Sequence, residues 1–450
     1  DEHEGERIFS KTNSDVINLA GAFNFDNSWI KRIDYSVRDS DYALTEQHAE
    51  GEEEHEEEGH EDHEEGPTTF TNNAREYWTT FDISTDSFSQ KMVLNVVDED
   101  TSVIGAEAFM QPTATKEKSI GYYLSTDLDL FHLDFGARYE QISRDGSVVH
   151  REEEHDDHDD EDDHDDDHDD DHDDDHAEEI DSFNKDFNNS SLALSIGRDI
   201  NENVDINFGI SRVERAPNAV ELFMNGPHLA TGRLENGNTN LKSESASNLD
   251  LTVNVSMGAF FGSFTLFKND IDNYIYLQDE TEEEHEEHEE EHDDHEGLTL
   301  ANWMQKDAKL KGYEFELGGV FELGRGDLTV SYAKDSVQGK FKDGSNIARM
   351  IPSRNFYTIS YSHDDLKVAL NLKDVFSQND IAVGETSTEA FQMLDLKIQK
   401  TFNLFNESEL NLSVFANNLL DEVARNHTSF VKNEVPLPGR NYGIRASLKF

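Results

Sequence analysis

The 450-residue sequence has no cysteine, which removes thiolate metal ligation and disulfide bracing. It has no run of about 18 or more consecutive apolar residues, which excludes a helical membrane span. Basic residues are scarce, 37 Lys and Arg against 99 Asp and Glu, and a net charge of −62 opposes nucleic-acid binding. No basic and apolar leader precedes Asp1, so any signal peptide is expected to have been removed or to lie upstream. Catalytic signatures are missing too. There is no nucleophile elbow, no phosphate-cradling glycine loop and no H-E-x-x-H helix, so no enzyme is expected.

The acidity is concentrated in three runs, Glu50 to Glu65, Glu152 to Glu179 and Asp279 to Glu296, with 11, 21 and 13 acidic residues and no Lys or Arg. Blocks of like charge repel themselves and have nothing apolar to bury, so they are expected as disordered, solvated loops at about 46–66, 150–179 and 279–296. Between them the sequence alternates with period two. Tyr442, Ile444, Ala446, Leu448 and Phe450 point one way against Gly443, Arg445, Ser447 and Lys449. Leu133, Phe135, Ala137 and Tyr139 alternate in the same way, as do Val204, Ile206, Phe208 and Ile210, and Leu249, Leu251, Val253 and Val255.

A soluble sandwich also alternates, so the connections decide. Short turns near Asn27, Leu130, Asn201, Gly258, Arg325, Asp364 and Asn406 are interleaved with long polar connections, the asymmetry of an up-and-down membrane barrel. A hydrophobic content of 35% suits such a wall, because only alternate residues face lipid. The expected fold is an all-β, antiparallel, transmembrane up-and-down barrel of about 17 strands. Parity then places all three acidic runs on one side, opposite Phe450. The odd count predicts an incomplete barrel over residues 1–450, its remaining strands before Asp1. Aromatic residues near strand ends, Trp78, Trp303 and Tyr276 among them, are expected in the lipid-facing girdles.

Of the 20 histidines, 15 lie in or at the edges of the three runs: His48, His55, His60 and His63; His150, His155, His158, His164, His168, His172 and His176; and His285, His288, His292 and His295. Spacings of three or four let a loop fold two imidazoles onto one ion, with carboxylates completing the N/O set that zinc accepts. Calcium would explain the carboxylates but not the imidazoles. Copper(II) and nickel(II) are bound by the same donors, and a purely solubilising role would need no regularly spaced histidine. A divalent metal is therefore the expected partner, bound as transported ligand and not as a catalytic cofactor.

After the strand at Val204 the sequence reads Arg215-Ala216-Pro217, Glu221-Leu222-Phe223, Gly226-Pro227-His228, Ala230-Thr231 and Glu235-Asn236-Gly237-Asn238. With Asn417-Asn418-Leu419-Leu420-Asp421, Pro438-Gly439-Arg440-Asn441 and the terminal Phe450, this resembles the TonB-dependent outer-membrane receptors. The element around His228, Asn273-Tyr274-Ile275-Tyr276, Gly105-Ala106-Glu107-Ala108-Phe109 and the His/acidic runs are similar to the zinc-uptake branch. The resemblance implies a barrel of about 22 strands in the bacterial outer membrane, surrounded by lipid and closed by a plug that the TonB complex pulls; that plug is expected to be missing from residues 1–450. It implies a receptor that captures zinc for energised import, with an iron-chelate or heme receptor, or a passive acidic barrel, as alternatives.

The resemblance also places His228 above the lumen as the candidate ligand of an ordered site. Glu107 and Glu221 are further candidates. His427 is read as either structural or supporting, Arg215 and Glu235 as residues that orient loops, and His132 and His363, beside turns, as structural.

Overall fold

The computed structural model describes residues 8–26, 28–48, 66–105, 108–150, 179–280, 298–404 and 408–450. The chain forms one sheet whose strands, in order, are β1 (Ile8–Asn24), β2 (Arg32–His48), β3 (Thr68–Asp82), β4 (Ser89–Ile104), β5 (Thr113–Leu128), β6 (Phe131–His150), β7 (Glu179–Asn201), β8 (Val204–Arg215), β9 (Asn225–His228), β10 (Arg233–Asn236), β11 (Glu244–Met257), β12 (Phe260–Asp279), β13 (Thr299–Leu323), β14 (Gly326–Phe341), β15 (Arg354–His363), β16 (Leu366–Val375), β17 (Phe391–Asn403), β18 (Glu409–Asn417) and β19 (Asn441–Lys449). β9 and β10 are four-residue strands in a connection. The other 17 make an antiparallel meander, in which β8 pairs with β11, and the expected strand count holds among the described residues. Among the described pairings β1 and β19 do not meet, so the sheet has two edges.

The register joins the alternating residues into one continuous outward face. Phe135 pairs with Leu194, Leu194 with Ile210, Ile210 with Leu249, and farther round Val330 pairs with Ile359 and Val414 with Ile444. All of these but the half-buried Phe135 stay solvent-exposed in the isolated chain, a contiguous apolar surface that only lipid can cover. The opposite face carries Thr252 bonded to Thr265, Asn248 to Ser211 and Ser195 to Asn207, the polar lining of a lumen.

Tight turns at 129–130, 202–203, 258–259, 324–325 and 364–365 all lie at the end that holds Phe450. Gly258, Gly324 and Asp364 supply the left-handed backbone that two-residue hairpins need. The strands flanking the three acidic runs all end at the opposite side, as parity required; apart from Glu179, Asp279 and Glu280 the runs themselves lie outside the described residues. The strands bounding the second and third runs are the longest, 20 and 23 residues for β6 and β7 and 20 and 25 for β12 and β13. A tilted strand crosses a bilayer in about 9–11 residues, so these hairpins reach well beyond the apolar band.

The girdle expectation is corrected at three positions. Trp78 pairs with Asn95, whose amide bonds Glu76, and so faces the lumen, one residue out of phase with the outward Tyr77. Trp303 packs against a buried cluster containing Leu222 and Ile275, and Tyr276 packs tilted against Phe341, with ring centres 4.6 Å apart. A β-bulge between Ile271 and Tyr274 shifts the register there, so counting by twos fails beyond it.

Adjacent residues of β11 give a test of the two faces. Leu251, between Phe208 and Leu266 on the apolar side, should cost about 2–4 kcal/mol of stability in a bilayer when changed to Lys. Thr252→Lys, on the lumen side, should cost less than about 1 kcal/mol. Equal losses in denaturant titrations of the vesicle-inserted receptor would contradict the assignment of faces.

Candidate functional site

The connection from β8 to β11 does not extend away from the wall; it folds back against its inner side. Asn218 caps a five-residue helix, α1 (Ala219–Phe223), in a capping box: its side chain accepts from the Glu221 N–H, and Glu221 accepts from the Asn218 N–H. Leu222, Phe223 and Met224 are at most 1% exposed. Leu222 and Phe223 pack with Met110, Leu241 and Ile275 against Val148, Phe183 and Phe187. Phe183 and Phe187 alternate with the outward residues of β7, so this packing is on the lumen side.

The fit relies on two small residues. A Cβ at Gly146 would stand 2.5 Å from the Phe223 ring, and one at Gly237 2.6 Å from the Leu222 backbone. Arg144 fastens the same loop, donating to the Pro217 carbonyl at 2.7 Å and to Thr115 at 2.9 Å while pairing with Glu117 at 3.1 Å.

Held this way, β9 and β10 form a hairpin that pairs His228 with Arg233 and Gly226 with Glu235. His228 Nδ1 lies 2.9 Å from Glu235 Oε1, and the Thr231 hydroxyl lies 3.0 Å from the same oxygen. The imidazole rests on Phe109 at 5.0 Å between ring centres and keeps about one third of its surface open, 32%. Glu107 lies outside the described residues, but Phe109, two positions on, adjoins the hairpin and accepts from the Asn225 N–H at 2.8 Å. Glu221 is placed otherwise: its carboxylate is engaged by Arg215 at 2.9 Å and by the Asn218 N–H, and Arg215 also holds Glu244.

Of the run histidines, His55, His60, His63, His155, His158, His164, His168, His172, His176, His285, His288, His292 and His295 lie outside the described residues, while His48 and His150 close β2 and β6. The hairpin nevertheless touches the roots of the second and third runs and is linked to that of the first through Phe109. Phe109 links His228 to Phe70 near the start of β3, with rings 5.9 Å apart. Asn225 Nδ2 donates to the Val149 carbonyl, beside His150, at 2.5 Å. Arg233 holds Asp279 through two bonds of 2.9 and 2.7 Å, the Thr299 N–H donates to the Gly232 carbonyl, and β10 runs parallel to β13. Among the described residues no three His, Asp or Glu side chains form a ready metal cage.

A second network, which sequence reasoning missed, ties the remaining long connections together. Arg349 also bonds Asp279, at 3.1 Å, and both guanidiniums lie over the Phe430 ring, Arg349 at 3.8 Å and Arg233 at 4.7 Å. Behind them His427, fully buried, lies 3.0 Å from Thr388 Oγ1 and 3.0 Å from Glu385, which pairs with Lys432 at 3.1 Å. The sequence signal was available: in so acidic a chain, cations within long connections stand out. His132, between Asp127 and Asp134, and His363, beside Asp364, sit at the turn end as expected.

Burial works against ionisation of Glu385, yet His427, the Ala382 and Arg349 N–H groups and Lys432 outweigh it and hold the carboxyl down to about 2. A carboxyl held below its unfolded value of about 4.3 adds stability that is complete above that pH and is lost as pH falls toward 2. Amide-exchange protection at Ala382 and Arg349 should therefore hold near neutrality and decline below about pH 4.3, and Glu385→Gln should abolish that dependence. Protection that is constant through this window would contradict it. For the loop itself, Phe223→Ala should cost about 3–5 kcal/mol and open 216–243 to protease; unchanged cleavage would separate the loop's placement from its core.

An up-and-down wall with an apolar outer face, a polar inner face and all long connections on one side defines an outer-membrane β-barrel protein. The chain belongs to the TonB dependent receptor-like, beta-barrel family, whose model matches residues 2–419. Its proteins lie in the outer membrane of Gram-negative bacteria and are transporters, in keeping with the lack of catalytic motifs. The fold is similar to that of the copper transporter OprC, with a TM-score of 0.72 at 14% identity, covering 98% of this chain and 66% of that one. It is also similar to the FrpB iron transporter from Neisseria meningitidis (F5-1 variant), with a TM-score of 0.65 at 12% identity over 98% and 64%. A third similar structure is a double mutant of the Serratia marcescens hemophore receptor HasR in complex with HasA and heme, with a TM-score of 0.62 at 12% identity over 98% and 66%. This chain thus spans about two thirds of the length of those structures.

Proposed function

We propose that this chain is the wall and capture surface of an outer-membrane importer for a divalent metal ion, zinc first and copper(II) its main competitor. Entry into the periplasm is driven by the TonB complex acting on a plug domain of the parent protein, and the barrel here is part of one of about 22 strands. The observation that carries the reading is the position of the His228 hairpin, bonded to the roots of the second and third His/acidic runs and linked to that of the first through Phe109. Many weak N/O sites on the runs concentrate cations near the mouth, helped by the local negative potential, and the hairpin offers one ordered imidazole at their common base.

The similar solved structures are a copper transporter, an iron transporter and a hemophore receptor in complex with heme, so fold alone does not select the ligand and the donor chemistry must. An iron-chelate or heme receptor is the second reading, and Arg233 and Arg349 over Phe430 are the feature that favours it. Both guanidiniums share Asp279, however, which offsets one of their two charges before any anionic chelate arrives. A passive acidic barrel sits poorly with the family.

The test is metal-resolved uptake by the full-length receptor, comparing zinc, copper, nickel and a ferric chelate at matched free concentrations. His228→Ala should impair zinc uptake even when zinc is ample, whereas deletion of 152–179 should reduce uptake mainly when zinc is scarce. Uptake by His228→Ala indistinguishable from the parent at every zinc level would remove His228 from the site, and a preference for the ferric chelate would replace the metal-ion reading with the second one.

A further inference from the structure

The same loop holds two buried glutamates with opposite surroundings. Glu221, 5% exposed, is neutralised by Arg215, a permanent cation. Glu235, 3% exposed, has no such partner: among the described residues its only ion-pair partner is His228, and its other polar neighbour is the Thr231 hydroxyl. A buried carboxylate without compensation is costly, so positive charge on the imidazole stabilises it, whether from a proton or from a metal ion. The geometry also fixes the ring. An ionised Glu235 can only accept, so the Nδ1 that faces it at 2.9 Å must be the protonated nitrogen, and in the neutral ring the lone pair is then on Nε2. Among the described residues no hydrogen bond or ion pair occupies Nε2, and Phe109 against the ring restricts its rotation.

We propose that Glu235 is a positioning residue that holds His228 in the Nδ1–H tautomer, so that Nε2 is the atom that takes the divalent metal. This rests on the reading of His228 as a ligand and adds which nitrogen binds and what makes it basic. The hairpin register supplies the geometry, since the pairing of β9 with β10 sets Glu235 beside the His228 side chain. Carboxylate partners of this kind change metal affinity by about 10–100-fold.

The experiment uses the full-length receptor in detergent with the metal alone. Chelator-buffered Zn(II) reads the first equivalent, below the range of the weak run sites. Cu(II) added below stoichiometry reads the remote imidazole nitrogen by pulsed electron paramagnetic resonance. Glu235→Gln should weaken the first zinc equivalent about 10–100-fold with unfolding unchanged, and should shift the quadrupole signature of the remote nitrogen. His228→Ala should abolish both signals. If His228→Ala removes the site while Glu235→Gln binds within about twofold of the parent, or leaves the remote-nitrogen signature unaltered, Glu235 has no such role. If His228→Ala binds the first equivalent as the parent does, the ligand reading itself fails. Should the Gln variant not fold, the parent decides: a remote nitrogen donating to a carboxylate supports the assignment, and one hydrogen-bonded only to water overturns it.

Discussion

The packing of Leu222 and Phe223 against the inner wall is the interaction on which the candidate site depends. A barrel wall is one layer thick, with lipid on one side and a polar lumen on the other, and it has little apolar core of its own. The buried cluster around Phe223 is an exception, and it turns the β8–β11 connection into part of the wall. Without it the hairpin would be a solvated loop, and His228 would have neither the fixed partner nor the aromatic backing that an ordered ligand needs. Arg144 on β6, paired with Glu117 on β5, and the Arg215–Glu221–Glu244 cluster, which joins the ends of β8 and β11 to the loop, reinforce the same placement electrostatically.

A consequence is a division between two kinds of acidic residue. Those of the runs are numerous, contiguous and uncompensated within their own segments, so their effect is a field and a high local cation concentration. Those of the ordered connections are individually matched. Asp279 takes two guanidiniums, Glu385 takes Lys432 and two backbone amides, and Glu221 takes Arg215. Glu235 stands apart because its match is an imidazole. Arg233, Arg349 and Lys432 lie where long connections meet, and Phe430 under Arg233 and Arg349 is the point at which three of those connections are joined.

Most of the fold was legible in the sequence because a β-wall writes its two environments with period two, and because short and long connections must alternate when strands run up and down. Leu249 to Val255 could be read directly, and the structure pairs it with Val204 to Ile210 residue for residue. Where the period breaks, the reading broke with it: Trp303 and Tyr276 lie beyond the bulge at Ile271, and Trp78 was assigned by its type when its neighbour Tyr77 held the outward phase. The site was less legible. Residue type singled out His228, but its contact with Glu235 depends on a hairpin register, and the bonds of Asp279 to Arg233 and Arg349 span 46 and 70 positions. No local pattern records such pairings.

The most direct test of the central claim is an anomalous-diffraction map from crystals of the full-length receptor exposed to limiting zinc, collected on both sides of the zinc edge. The account predicts a strong zinc peak at about 2.0–2.1 Å from His228 Nε2, at the common base of the three runs. Zinc bound at full occupancy elsewhere on the barrel, with no density beside that nitrogen, would contradict it.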